Sequence, residues 1–117
     1  MKAISFLLLC LIMSNTYNLH ASNADTTIEK STYTYKRILD LDIQLDVYRY
    51  KRDQIHKPVI VWLHSGALIF GSKNDIRDEQ VQLYLNSGFS VVSVDYRLAP
   101  ETRMQDIVID LRDAITW

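Results

Sequence analysis

The residues best placed to do chemistry form a four-residue turn, His64-Ser65-Gly66-Ala67, directly after the apolar run Val59 to Leu63. Acyl transfer needs donors aimed at an oxygen that becomes negative, and backbone amides in a tight turn supply them with no side chain in the way. On these four residues alone, an ordinary turn after a buried strand is the simpler reading. A competing pattern overlaps it: Gly66 to Lys73 reads GALIFGSK, close to the phosphate-loop spacing GxxxxGK[ST]. There the order is wrong, because Ser72 precedes Lys73, whereas a phosphate loop needs lysine directly after the second glycine and the hydroxyl after that. A nucleophile is harder to find. No GxSxG pentapeptide occurs, and the nearest string, Gly88-Phe89-Ser90-Val91-Val92, lacks the second glycine and runs into a strand pattern. The histidines are His20, His56 and His64, and no two fall at metal-ligand spacing; the one cysteine, Cys10, lies in the apolar block near the N-terminus. Neither a metal nor a cofactor is expected.

The elements that must position the turn start after an N-terminal leader. Lys2 precedes the apolar block Ala3 to Met13, and small residues follow at Ala21, Ser22 and Ala24. This is the pattern of a secretory signal peptide over residues 1–24, with cleavage after Ala21 or Ala24. The apolar block has 11 residues, well short of the ~20 that span a bilayer, so no stable membrane anchor is expected. The location implied is secreted or periplasmic. Without residues 1–21 the chain holds 12 basic and 14 acidic side chains, interspersed rather than blocked, which gives no nucleic-acid footprint. Residues 25–31 read as a flexible polar lead, and residues 32–117 as a partial domain.

Within that domain, Tyr33, Tyr35 and Ile38, then Ile43, Leu45, Val47 and Tyr48, alternate with polar residues. They predict two strands in an antiparallel hairpin with one wet face. Val59 to Leu63 and Phe89 to Val94 are continuous apolar runs, as in strands covered by helices on both sides. Between them, Ile76, Val81, Tyr84 and Leu85 are spaced for a helix over 75–86, stopped by Ser87 and Gly88. Strand, helix, strand predicts a crossover unit with parallel strands. Met104, Ile107, Val108, Leu111 and Ile115 then predict an amphipathic helix over 103–117. The fold class is α/β.

Two segments carry a resemblance: PVIVWLHSGALIFGSK at 58–73 and FSVVSVDYRLAPE at 89–101. They resemble the esterase and lipase branch of the α/β hydrolase superfamily, whose members carry an HGGG or HGGA motif after one strand and DYRLAPE after the next. Ser65 departs from that motif, where glycine is usual, and its Cβ questions whether the turn keeps the same backbone angles. The resemblance covers roughly Thr32 to Trp117 and implies the N-terminal portion of the fold, ending before the nucleophile elbow. It implies that Gly66 and Ala67 supply oxyanion-hole N–H groups, with His64 and Ser65 shaping the loop and His64 not acting as the catalytic histidine. Asp95, Arg97 and Glu101 are expected to brace the oxyanion loop through ion pairs or backbone hydrogen bonds, and Pro100 to fix the approach to the last helix.

A full member would be an exported serine hydrolase acting on a small carboxylic ester. This chain is expected to be an N-terminal fragment that lacks the triad and does not turn over esters alone. The resemblance also implies that the edge of Val59 to Leu63 lies open, which favours aggregation. The alternative is a noncatalytic exported binding protein that covers this edge, for example by dimerising.

Overall fold

The computed structural model describes residues 25–54 and 56–117; the signal sequence expected over residues 1–24 lies outside them. β-Branched and aromatic residues run through β1 (Ile28–Ile38) and β2 (Leu41–Tyr50), which pair antiparallel from Ile28↔Tyr50 to Ile38↔Leu41. β1 takes in Ile28 to Ser31, four residues that the sequence reading left in the flexible lead. The expected hairpin is present, but its wet face is not shared by both strands. Ile43 and Leu45 are buried on one side of β2, and Asp46, Tyr48 and Tyr50 on the other. β2 is an interior strand, so helices cover both of its faces.

β3 (Val59–Leu63) and β4 (Ser90–Val94) pair in parallel with Val59↔Ser90 and Leu63↔Val94, as the crossover pattern predicted. β4 also pairs antiparallel with β2, from Leu45↔Val94 to Tyr48↔Val91, which gives the sheet order β1-β2-β4-β3. The crossover holds a 3₁₀ turn at Lys73–Asp75 and then α1 (Asp78–Asn86). Ser72 caps the 3₁₀ turn by accepting from the Asn74 N–H, so the helix proper starts three residues later than its apolar spacing indicates. The stop is where Ser87 and Gly88 place it. The Ser87 N–H reaches the Leu83 and Tyr84 carbonyls, and Gly88 takes the left-handed φ of 89°. Val81 and Leu85 pack with Ile76, Tyr48, Tyr50 and Val91 on one face of the sheet.

The last helix, α2 (Met104–Thr116), covers the other face, where Ala114 packs with Leu45 and Val94. Its buried stripe is Ile107, Asp110 and Ala114, whereas Met104, Val108 and Ile115, which the sequence placed on the buried face, are exposed. The physical reason is Asp110. Its carboxylate is held by Arg97 and Lys36, and this turns the helix so that the acid points inward and the aliphatic row points aside. β3 also departs from expectation. Only its α1 side is covered, with Trp62 against the core, while Val59, Val61 and Leu63 stay exposed at the edge of the sheet. α2 lies against β1 instead. Among the described residues, no helix is long and apolar enough to cross a membrane.

Candidate oxyanion loop

β3 ends at Leu63, at the carboxyl end of a parallel strand, and the chain turns sharply through His64 to Gly71. Ser65 does not carry a positive φ, so its Cβ causes no conflict; the left-handed positions are Gly66 (116°), Ala67 (52°) and Leu68 (64°). Two successive non-glycine residues in this region cost about 1–2 kcal/mol each, and such backbone persists only where its surroundings hold it. Here the Gly66 carbonyl accepts the N–H groups of Ile69 at 2.9 Å and Phe70 at 3.2 Å. A Cβ on Gly66 would overlap the Phe70 carbonyl, so only glycine fits. The N–H groups of Gly66, Ala67 and Leu68 have no acceptor among the described residues. Consecutive free amides in a turn form a small concavity suited to an anionic oxygen. Gly66 is buried at its base between the exposed Ser65 and Ala67.

His64 is buried, 4 % exposed, and its ring stacks on Tyr96 with centroids 4.2 Å apart and planes 3° from parallel. Its Nδ1 lies 2.9 Å from the Ser65 carbonyl oxygen, and its Nε2 is buried without a partner. With one nitrogen turned onto the loop's own backbone and the ring enclosed, the imidazole is committed to structure. His56 is exposed in the connector before β3.

The segment after β4 holds the loop from behind. The Tyr96 hydroxyl donates to the His64 carbonyl at 2.9 Å, and the Ala99 N–H donates to the Leu68 carbonyl at 2.8 Å. Asp95 accepts the Lys73 N–H at 2.6 Å, and its own carbonyl takes the Tyr35 hydroxyl at 2.7 Å. Arg97 acts elsewhere. It forks onto Asp110 with Nε–Oδ2 at 2.7 Å and Nη2–Oδ1 at 2.8 Å, pairing with neither Asp95 nor Glu101. Thus Asp95 braces the loop's exit and Arg97 braces α2. Glu101 is exposed and makes no hydrogen bond or ion pair among the described residues. Pro100 follows a cis peptide after Ala99.

The comparisons with known proteins fit this architecture. The family model BD-FAE, of α/β-hydrolase type, matches residues 45–117, well over half of the chain. The chain belongs to the BD-FAE family. It is similar to an α/β hydrolase superfamily protein from Enterococcus faecalis, with 28% identity and a TM-score of 0.63 over 75% of this chain and 30% of that one. A thermophilic esterase from Thermogutta terrifontis shares the fold at 24% identity and a TM-score of 0.67, over 74% of this chain and 32% of its own. Among curated proteins, the non-reducing polyketide synthase prhL of Penicillium brasilianum is 36% identical over 104 residues, and adrD of Penicillium roqueforti 38% over 95. The chain spans 4% of the length of each synthase. It is an α/β-hydrolase-like segment matching about a third of the solved hydrolase chains.

Sequence reasoning missed Lys73, Asp46, Tyr96, Gly71 and Asp110. Asp46 is fully buried in β2, where it accepts from Thr32 at 2.7 Å and pairs with Lys30 at 2.9 Å and Lys73 at 3.2 Å. Burial pushes the Asp46 and Asp110 carboxyls up, but hydrogen bonds outweigh it and hold both below the ordinary carboxylate value. These come from Thr32, Lys30 and Lys73 on Asp46, and from Arg97 and Lys36 on Asp110. Both acids were visible as acids in apolar registers: Asp46 alternates with Tyr48 and Tyr50, and Asp110 falls between Ile107 and Ala114 at helical spacing. Among the described residues, no group of three His, Cys, Asp or Glu is arranged to hold a metal ion.

Proposed function

We propose that this chain carries the oxyanion side of an exported carboxylic ester hydrolase, with a small ester as substrate. The observation that carries the reading is the strained turn at the carboxyl end of β3, which leaves the Gly66 and Ala67 N–H groups without internal acceptors. A scissile carbonyl oxygen seated against these two donors gains negative charge as a nucleophile attacks. Fixed dipoles then stabilise that charge without reorganising. His64 and Ser65 shape the loop, and His64 takes no proton from a nucleophile. The nucleophile, its acid and its base are supplied from outside this chain. The isolated polypeptide therefore has no ester turnover. The leader pattern at residues 1–24 supports export, and N-terminal sequencing of the mature protein tests it: a start at Ser22 or Asp25 is expected, and a retained Met1 contradicts it.

The test of the hydrolase reading is to determine the coding sequence beyond the Trp117 codon, express the polypeptide it encodes, and assay short p-nitrophenyl esters. Hydrolysis that depends on a serine in a GxSxG elbow is expected. Such an elbow with no activity on esters overturns the ester assignment.

A second reading follows from the curated relatives. Identity to the polyketide synthases, 36–38%, exceeds the 24% shared with the Thermogutta esterase. On that reading the same fold serves as one unit of a larger assembling enzyme. A mature protein of synthase size retained in the cell would favour it over an exported esterase.

A further inference from the structure

We propose that Tyr96 is a positioning residue that acts through His64 to fix the direction of the Gly66 N–H, a role that rests on the oxyanion reading above. A trans peptide is planar, so its carbonyl and its N–H point opposite ways. Whatever holds the Ser65 carbonyl therefore aims the Gly66 N–H. The holder is His64, whose Nδ1 lies 2.9 Å from the Ser65 oxygen. A carbonyl oxygen only accepts, so Nδ1 must carry the proton and Nε2 is the bare nitrogen. Nε2 is buried with no partner, so nothing on that side fixes the ring.

Tyr96 supplies what is missing. Its ring lies flat on the imidazole, its hydroxyl donates to the His64 carbonyl at 2.9 Å, and the same oxygen sits 3.4 Å from Nδ1. Because the two rings are parallel, that oxygen lies over the face of the imidazole and not in line with an Nδ1–H, so Tyr96 holds His64 by the stack and by the bond to its carbonyl. Gly71 closes the other side. A Cβ there would overlap His64 Nδ1 and crowd the Ser65 oxygen at 2.5 Å, so the left-handed glycine lets the backbone press against both groups.

The second donor is held differently. The Gly66 carbonyl is fixed by Ile69 and Phe70, which aims the Ala67 N–H without help from Tyr96. Removing the Tyr96 hydroxyl should therefore release one donor and leave the other.

The test is ¹⁵N spectroscopy of the full chain, in solution or by magic-angle spinning for associated material, on wild type, Tyr96→Phe and Tyr50→Phe. Tyr50→Phe also loses a buried hydroxyl bond, to Asn86 at 2.6 Å, and controls for general destabilisation. In wild type, His64 should show a protonated Nδ1 and a bare Nε2. Tyr96→Phe keeps the ring stack but loses the bond to the His64 carbonyl, and should shift or double the Gly66 amide while the Ala67 amide stays in place. Tyr50→Phe should move neither. An Nε2–H tautomer in wild type overturns the proposal, as does a Gly66 amide unchanged in Tyr96→Phe. If Tyr96→Phe does not fold, the Tyr96 hydroxyl proton in wild type decides: a slowly exchanging resonance close to the His64 ring is expected, and its absence overturns the proposal. None of these readouts needs ester turnover, so the lock can stand where the hydrolase reading fails, and the reverse.

Discussion

Arg97 and Asp110 show how one residue pair carries more of the structure than its place in a surface-like motif implies. The Asp110 carboxylate is fully buried and accepts two charged hydrogen bonds from a single guanidinium. Removing Arg97 strips the fork from a buried carboxylate and leaves Lys36 as its remaining cation, so Arg97→Ala is expected to cost about 1.5–3 kcal/mol in chemical denaturation. Arg97→Lys keeps the charge but not the fork and should recover only part of that loss. The same chemistry sets the response to acid. Asp46 and Asp110 have folded pKa values below their unfolded ones, so their stabilisation is complete above the unfolded value of about 4 and is lost as pH falls through the folded values. Melting temperatures should be level with respect to these groups above roughly pH 5 and fall below about pH 4; an Asp46→Asn, Asp110→Asn double variant should flatten that acid limb. The motif residues His64, Gly66 and Ala67 were legible in the sequence because short side chains at a strand end mark a turn. Tyr96 was not, because its role depends on a stack and a hydroxyl bond between residues 32 positions apart.

Elements were more legible than their orientations. Period-two alternation located the two hairpin strands, continuous apolar runs the two parallel strands, and period-3.6 spacing the two helices, since each pattern reports which faces are covered. They could not report that a buried acid would turn α2, or that β1 is irregular. The β1–β2 register shifts between Thr34 and Lys36, and a bulge at this point re-aims side chains. Tyr35 and its neighbour Lys36, which would point to opposite faces of a regular strand, thereby both reach the α2 side: Tyr35 bonds to the Asp95 carbonyl and Lys36 pairs with Asp110 and Asp113. The hairpin turn carries another cost that only backbone angles show. Leu39 has a φ of 52° and is 91% exposed, so it packs against nothing that repays the left-handed conformation. Leu39→Asn should stabilise the chain by about 0.5–1 kcal/mol, read as a higher denaturation midpoint. A lower midpoint would show that the leucine makes contacts in the folded chain that outweigh its backbone strain.

At the scale of the whole molecule, β1 and β3 are the two edges of the sheet, and β3 is the one that exposes apolar side chains in a row. β3 pairs only with β4, and Val59, Val61 and Leu63 form an exposed apolar row on it. A flat apolar edge is a template for pairing with another chain, so the isolated polypeptide should associate with rising concentration. Val61→Lys should suppress that association in light scattering without lowering the melting temperature by more than a few degrees; equal association in both proteins would place the sticky surface elsewhere. The sequence could flag this edge only through a family resemblance, because an apolar run does not say which strand neighbours it. The central claim, that residues 64–67 form a working oxyanion turn, is tested most directly by a chimera. Residues 25–117 replace the matching segment of an esterase of this fold, and kcat for a p-nitrophenyl ester is measured with glycine and with alanine at position 66. The account predicts an active chimera in which Gly66→Ala lowers kcat by about 10²–10³-fold with KM little changed. A correctly folded Gly66→Ala chimera with undiminished kcat would contradict it.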